Sequence, residues 1–140
     1  MNESGRIKHW IKSALGADQQ LVEVVGQRIF ADQAESGTQF PYIVFSLQTG
    51  ASGDIQGPGT ARILTRPIYL IKVVCEGSPT DTVRLAADRI DEIIGKAVNQ
   101  SDLGFNFSAR RNELIDYLET RGKLKFTHLG GLYRIEASAA

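Results

Sequence analysis

The segments Phe40-Pro41-Tyr42-Ile43-Val44-Phe45-Ser46-Leu47 and Ile68-Tyr69-Leu70-Ile71-Lys72-Val73-Val74-Cys75 are dense in β-branched and aromatic residues. Such side chains fit a pleated, half-buried surface, so both segments read as strands. Each carries apolar side chains on both faces, which means that both faces of their sheet need cover. Residues 50–61, between them, are polar and Gly-rich. This interval is longer than a hairpin needs, since hairpin connections usually run about two to five residues. With Arg62-Ile63-Leu64-Thr65-Arg66 extending the second strand and Pro67 breaking its ladder, the pattern predicts a protruding two-stranded arm with a mobile loop at 50–61.

The flanking sequence supplies helices. Ile7, Trp10, Ile11, Ala14 and Leu15 recur at helical spacing and make one apolar stripe. Trp10 in that stripe reads as core. Ser4 is the expected N-cap of this helix, and Asp18 that of a short second helix closed by Gly26. Arg28-Ile29-Phe30 reads as a short strand entering the sheet. Ser78-Pro79-Thr80-Asp81 is the clearest local signal, with Ser78 as N-cap, Pro79 at the first helical position and Asp81 two residues on. The helix it starts buries Val83, Ala86, Ala87, Ile90, Ile93, Ile94 and Ala97. Its other face pairs Arg84 with Asp88 and Glu92 with Lys96, and Asn99 is its expected stop.

Beyond that helix, residues 100–108 read as a polar connection and 109–119 as a strand with Leu114 and Leu118 on one face, Ile115 and Tyr117 on the other. Residues 120–123 supply a turn. The final strand alternates Leu124, Phe126 and His128 with Lys123, Lys125 and Thr127, is bent or bulged at Gly130-Gly131, and frays after Ala137. The expected fold is one α+β domain over residues 1–140: a mostly antiparallel sheet with a long two-stranded arm, packed by an N-terminal helix and one central helix.

The balance of 16 Lys and Arg against 16 Asp and Glu gives a formal net charge of zero, which argues against phosphate neutralisation as the main task. A lone cysteine, Cys75, excludes an intramolecular disulfide and a Cys-based zinc site, and fits assembly in a reducing cytoplasm. Arg6, Lys8 and Lys12 interrupt the apolar N-terminal residues, so a signal peptide is not expected, and the longest apolar run is too short to span a bilayer.

No catalytic constellation stands out. A Cys75–His128 dyad is conceivable within one sheet, but a cysteine beside Val73 and Val74 reads as a small buried hydrophobe. His9 lies among apolar helix positions with no catalytic neighbour. Asp88, Asp91 and Glu92, interleaved with arginine, read as a solvated helix face rather than a metal site. Gly57-Pro58-Gly59 lacks the lysine and following helix of a phosphate loop. Arg110, Arg111, Arg121, Lys123 and Lys125 are offset by Glu113, Asp116 and Glu119 and read as ordinary surface charge. Catalytic, cofactor and metal residues are therefore expected to be none. Strands that are amphipathic on neither face, with few helices to cover them, point instead to self-association.

Taken in order, the chain resembles the tail terminator or tail completion proteins of long-tailed phages. The resemblance runs from about Ile7 to Glu136. It is carried by Leu21-Val22-Glu23-Val24-Val25-Gly26-Gln27-Arg28-Ile29-Phe30, by Phe40-Pro41-Tyr42-Ile43-Val44-Phe45, by the Gly-rich excursion and the strand to Cys75, by Ala86-Ala87-Asp88-Arg89-Ile90, and by Gly130-Gly131-Leu132-Tyr133-Arg134-Ile135. It implies a virion protein that forms a ring, usually a hexamer, capping the head-proximal end of the tail tube. The implied partners are copies of itself, the tail tube protein and the head–tail connector, with DNA passing through the lumen. Asp54, Arg62 and Arg66 are the docking contacts offered by this analogy. Another connector, neck or minor tail protein is the alternative within virions, and a small enzyme using His128 and Cys75 the alternative outside them.

Overall fold

The computed structural model describes residues 2–49, 55–56 and 62–139. In chain order these form α1 (Glu3–Gly16), α2 (Gln19–Val25), β1 (Ile29–Ala31), β2 (Tyr42–Thr49), β3 (Ile55–Gln56), β4 (Arg62–Leu64), β5 (Ile68–Glu76), α3 (Asp81–Ile93), β6 (Gln100–Asp102), β7 (Phe105–Arg121) and β8 (Leu124–Ala139). Six strands make one sheet in the order β1-β2-β5-β8-β7-β6. Only β1 and β2 run parallel, and the other pairs are antiparallel. This is the α+β class expected from the sequence.

The helices start where side chains satisfy orphan backbone donors, though twice not at the expected residue. Asn2, rather than Ser4, caps α1 by accepting from Gly5 N at 2.8 Å. Asn is at least as good a cap as Ser, and using it adds residues to the helix. Asp18 caps α2 through Leu21 N, as expected. For α3 the cap is Thr80, whose Oγ1 accepts from Val83 N at 3.3 Å, and not Ser78. Pro79 therefore precedes the helix, and Asp81 stands at its first position, beside the positive end of the helix dipole. The buried face of α3 is the expected one, with Val83, Ala86 and Ile90 inside and Ile94 and Ala97 just beyond its end.

All three helices lie on one face of the sheet. Ile7, Trp10 and Leu15 of α1, Leu21 of α2 and Ile90 of α3 form one cluster with Ile43, Phe45, Tyr69, Ile71, Tyr133 and Ile135. Trp10 stacks flat on Phe107 with ring centroids 4.9 Å apart, and its Nε1 donates to Gln100 Oε1 at 3.2 Å. That contact explains why β7 begins at Phe105 instead of the expected 109. Phe105 and Phe107 alternate into the core, and β6 pairs with them where a polar connection was expected.

Three more expectations need correction. The long hairpin is β7–β8, paired from Phe105↔Ala139 to Arg121↔Leu124. Of the interval 50–61, Ile55–Gln56 form β3, which pairs with β4 in a separate small ribbon; the rest of the expected loop lies outside the described residues. Gly130-Gly131 is not bulged: it runs in register between Ile71-Lys72 and Leu114-Ile115. The glycines are there for space, because a Cβ on Gly130 would lie 2.0 Å from the Ile71 carbonyl oxygen. The irregularity falls on the neighbouring strand, between Arg111 and Glu113. Residues 138–139, expected to fray, close the β7–β8 ladder. Pro67 does stop a strand as expected, and its carbonyl accepts from Ile135 N.

Candidate assembly surface

Strand register decides the fate of the one nucleophile–base pair in the sequence. Cys75 lies opposite Thr127, while His128 lies opposite Val74. Neighbouring strand residues point to opposite faces, so Cys75 faces the helices and His128 the other side. Cys75 is buried and its thiol is pushed up by that burial, the reverse of what a nucleophile requires.

His128 is part of a polar cluster on the face without helices. Its Nε2 lies 2.8 Å from Glu119 Oε1, and its ring stacks on Tyr117 with centroids 4.4 Å apart. Lys72 Nζ donates to the Tyr117 hydroxyl at 2.9 Å. Burial holds the imidazole below its usual range, against the pull of Glu119. Glu119 is lowered by hydrogen bonds from Arg121 and His128. Val44 and Val74 are buried on this same face, outside the helix-side cluster. Side chains of the strands themselves thus give the second face part of its cover, and no helix lies on it among the described residues.

Two acidic residues of α3 are tied up locally. Asp91 accepts from the Tyr133 hydroxyl at 3.3 Å and sits 3.7 Å from Arg111 Nη1, and Glu92 pairs with Lys96 at 2.8 Å. His9 pairs with Asp102 at 2.7 Å, which fastens α1 to β6. No group of three potential metal ligands occurs among the described residues.

The three expected docking residues do not gather into one site. Asp54 lies outside the described residues. Arg62 begins β4, opposite Gln56. Arg66 is held against β8: its Nε is 3.6 Å from Glu136 Oε1, and its carbonyl accepts from Arg134 Nη1 at 2.6 Å.

The exposed apolar side chains concentrate elsewhere. Leu114, Tyr117, Leu118 and Leu124 of the β7–β8 hairpin are 63%, 44%, 56% and 61% exposed. A cleft of about 250 Å³ runs beside them, walled by Arg84, Ala87 and Asp88 of α3 and floored by Leu129 and Gly130. A smaller hollow of about 120 Å³ lies near the ribbon, lined by Ile7, Leu47, Pro67 and Tyr69. The larger cleft is lined by charged Arg84, Asp88, Arg111 and Asp116 beside Leu114, and the smaller one is mainly apolar. The signal for the hairpin was present in the sequence as Leu114 and Leu118 on one face with Ile115 and Tyr117 on the other. What it lacked was any sign that α3 would stop short of this strand.

No family model and no curated protein matches the sequence. Among solved structures, the fold is shared with a chain from a structure titled "Virion of native gene transfer agent (GTA) particle". The match has a TM-score of 0.72 and 17% identity over 97% of both chains. A second solved chain matches with a TM-score of 0.54 and 11% identity, over 98% of this chain and 90% of its own.

Proposed function

We propose that this chain is a structural protein of a phage-like virion, acting as the tail terminator. Copies assemble into a ring, a hexamer by resemblance, on the head-proximal end of the tail tube. The ring ends tube polymerisation and offers the surface that joins the head-side connector. DNA passes through its lumen, and a chain of zero net charge lets it pass without strong phosphate binding. Assembly in the host cytoplasm suits the single reduced cysteine. The observation that carries this reading is the end-to-end match in fold to a chain of a gene transfer agent virion, joined to a sheet whose edge and second face lack helix cover among the described residues. The opposed Cys75 and His128 side chains support a structural over an enzymatic role.

The test is assembly. Light scattering and negative-stain imaging of the purified protein are expected to show rings, alone or once tube protein is added. Loss of the protein in a producing cell is expected to give tails of uncontrolled length that do not join heads. A protein that stays monomeric at high concentration with tube protein present refutes the ring. Rings that bind a portal-side adaptor and not the tube protein shift the role to a neck component.

A further inference from the structure

We propose that the outer edge of β7, from Arg110 to Arg121, is the seam between adjacent copies of this chain, where the β1 edge of the next copy is added to the sheet. The inference rests on the ring reading and names the surface that builds the ring.

The backbone makes the first part of the argument. β7 is 17 residues long, and β6 covers its outer side only at Phe105–Phe107. Just beyond, Ala109 N donates to Ala97 O and Ser108 Oγ accepts from Asn99 N. From Arg110 to Arg121 no strand pairs on the outer side among the described residues. An edge of that length presents a row of N–H and C=O groups that a further strand satisfies.

Side chains make the second. Leu114 and Leu118 stand exposed on the helix side of this strand, and Tyr117 on the other. A helix laid on the sheet would cover one set. A strand added at the edge extends both faces at once. Glu113, Asp116 and Glu119 interleave with them, and such charges guard an edge against indiscriminate pairing.

Charge then selects the occupant. The turn end of the hairpin carries Arg121, Lys123 and Lys125 against Glu119. At the opposite end of the same sheet lies β1, and residues 32–39 that follow it hold Asp32, which pairs with Lys8 of α1 at 3.1 Å, and Glu35, with no lysine or arginine among them. Beyond β1, Ser46 and Leu47 of β2 also lack an outer strand partner among the described residues, and Leu47 is exposed. The sheet thus carries its basic excess at the β7–β8 turn and, at the other end, Glu35 after β1. Copies attract head to tail, and like edges repel. A heterologous contact of this kind produces a ring where its rotation closes and a filament where it does not, rather than a two-fold dimer.

The test uses the full chain, with light scattering for mass and circular dichroism melting for the fold. Leu114→Glu with Leu118→Glu is expected to leave the melt intact and abolish assembly. Lys123→Glu with Lys125→Glu is expected to weaken assembly about tenfold or more. Adding Gln33→Lys and Glu35→Lys to that variant is expected to restore it, which only contact between copies explains. Wild-type rings that the edge variants leave unchanged, or a charge swap that fails to rescue, overturn the seam and leave the ring reading standing. Edge variants that keep the ring and lose the tube protein also overturn it. A wild type monomeric under all conditions removes both.

Discussion

Arg89 of α3 grips Asp18, the N-cap of α2, with two hydrogen bonds of 3.1 and 2.7 Å. One carboxylate therefore both starts a helix and ties it to the next, since the same Asp18 Oδ2 accepts from Leu21 N. The guanidinium holds Asp18 below the usual carboxylate range. A carboxylate lowered in the folded state stabilises at pH above its unfolded value, and that contribution is lost as pH falls through the folded value.

Replacing Asp18 by Ala removes cap and ion pair together, and is expected to cost about 1–3 kcal/mol by denaturant melts at pH 7. Asp18→Asn keeps a capping oxygen and loses the charge. Its deficit is expected to be smaller, and to shrink as melts are repeated at pH values falling below the ordinary carboxylate range, where the wild-type contribution is progressively lost. A constant deficit from pH 7 to pH 3 contradicts this account.

Gly130 is the most demanding position in the sheet. Its missing Cβ is what lets β8 approach the Ile71 carbonyl of β5, a backbone atom that no rotamer change can move. Gly130→Ala is expected to cost about 3 kcal/mol or more, or to prevent soluble expression. Gly16, at the end of α1, has open space around it, and Gly16→Ala is expected to be neutral or to stabilise by about 0.4–1 kcal/mol. Similar melting points for the two variants would show that the close approach of β8 to β5 is not required.

His128 gives the fold a second pH dependence. Its pKa is lowered chiefly by burial, so the folded state favours the neutral ring. The unfolded chain then binds more protons over the interval below the ordinary imidazole value, and stability falls as pH drops from about 6.5. The melting temperature is expected to fall between pH 7.5 and pH 5, and to fall less in His128→Leu. Equal slopes in both proteins would place the sensitivity elsewhere.

Much of this fold was legible because short-range chemistry dictated it. The stripe through Ile7, Trp10 and Ile11, the Asp18 cap, the alternation of β5 and the buried face of α3 needed nothing beyond local periodicity. Errors arose where partners distant in sequence decided. Phe105 and Phe107 became strand because Trp10 was there to receive them. Gly130-Gly131 looked like a bend, since glycine in a strand marks either an irregularity or a close approach, and only the position of Ile71 distinguishes them. The exposed edge of β7 could not be read at all without strand order, which no single segment encodes.

Strand order also sets what the excursion between β2 and β5 contributes to the fold. Thr49 pairs directly with Ile68, so the two ends of the connection are already adjacent. Residues 52–59 include β3, which pairs with β4 in the separate two-stranded ribbon. Deleting them leaves ten residues between Thr49 and Ile68, more than a hairpin connection needs. The melt of the deletion variant is therefore expected to match wild type closely. Its tails are expected to be abnormal in length or unable to join heads, because the removed segment includes Asp54 and β3, the ribbon strand facing Arg62. Tails of normal length that join heads would reduce the excursion to a passive connection, whereas a collapsed melt would mean that the ribbon stabilises the sheet through the Thr65↔Ala137 bridge.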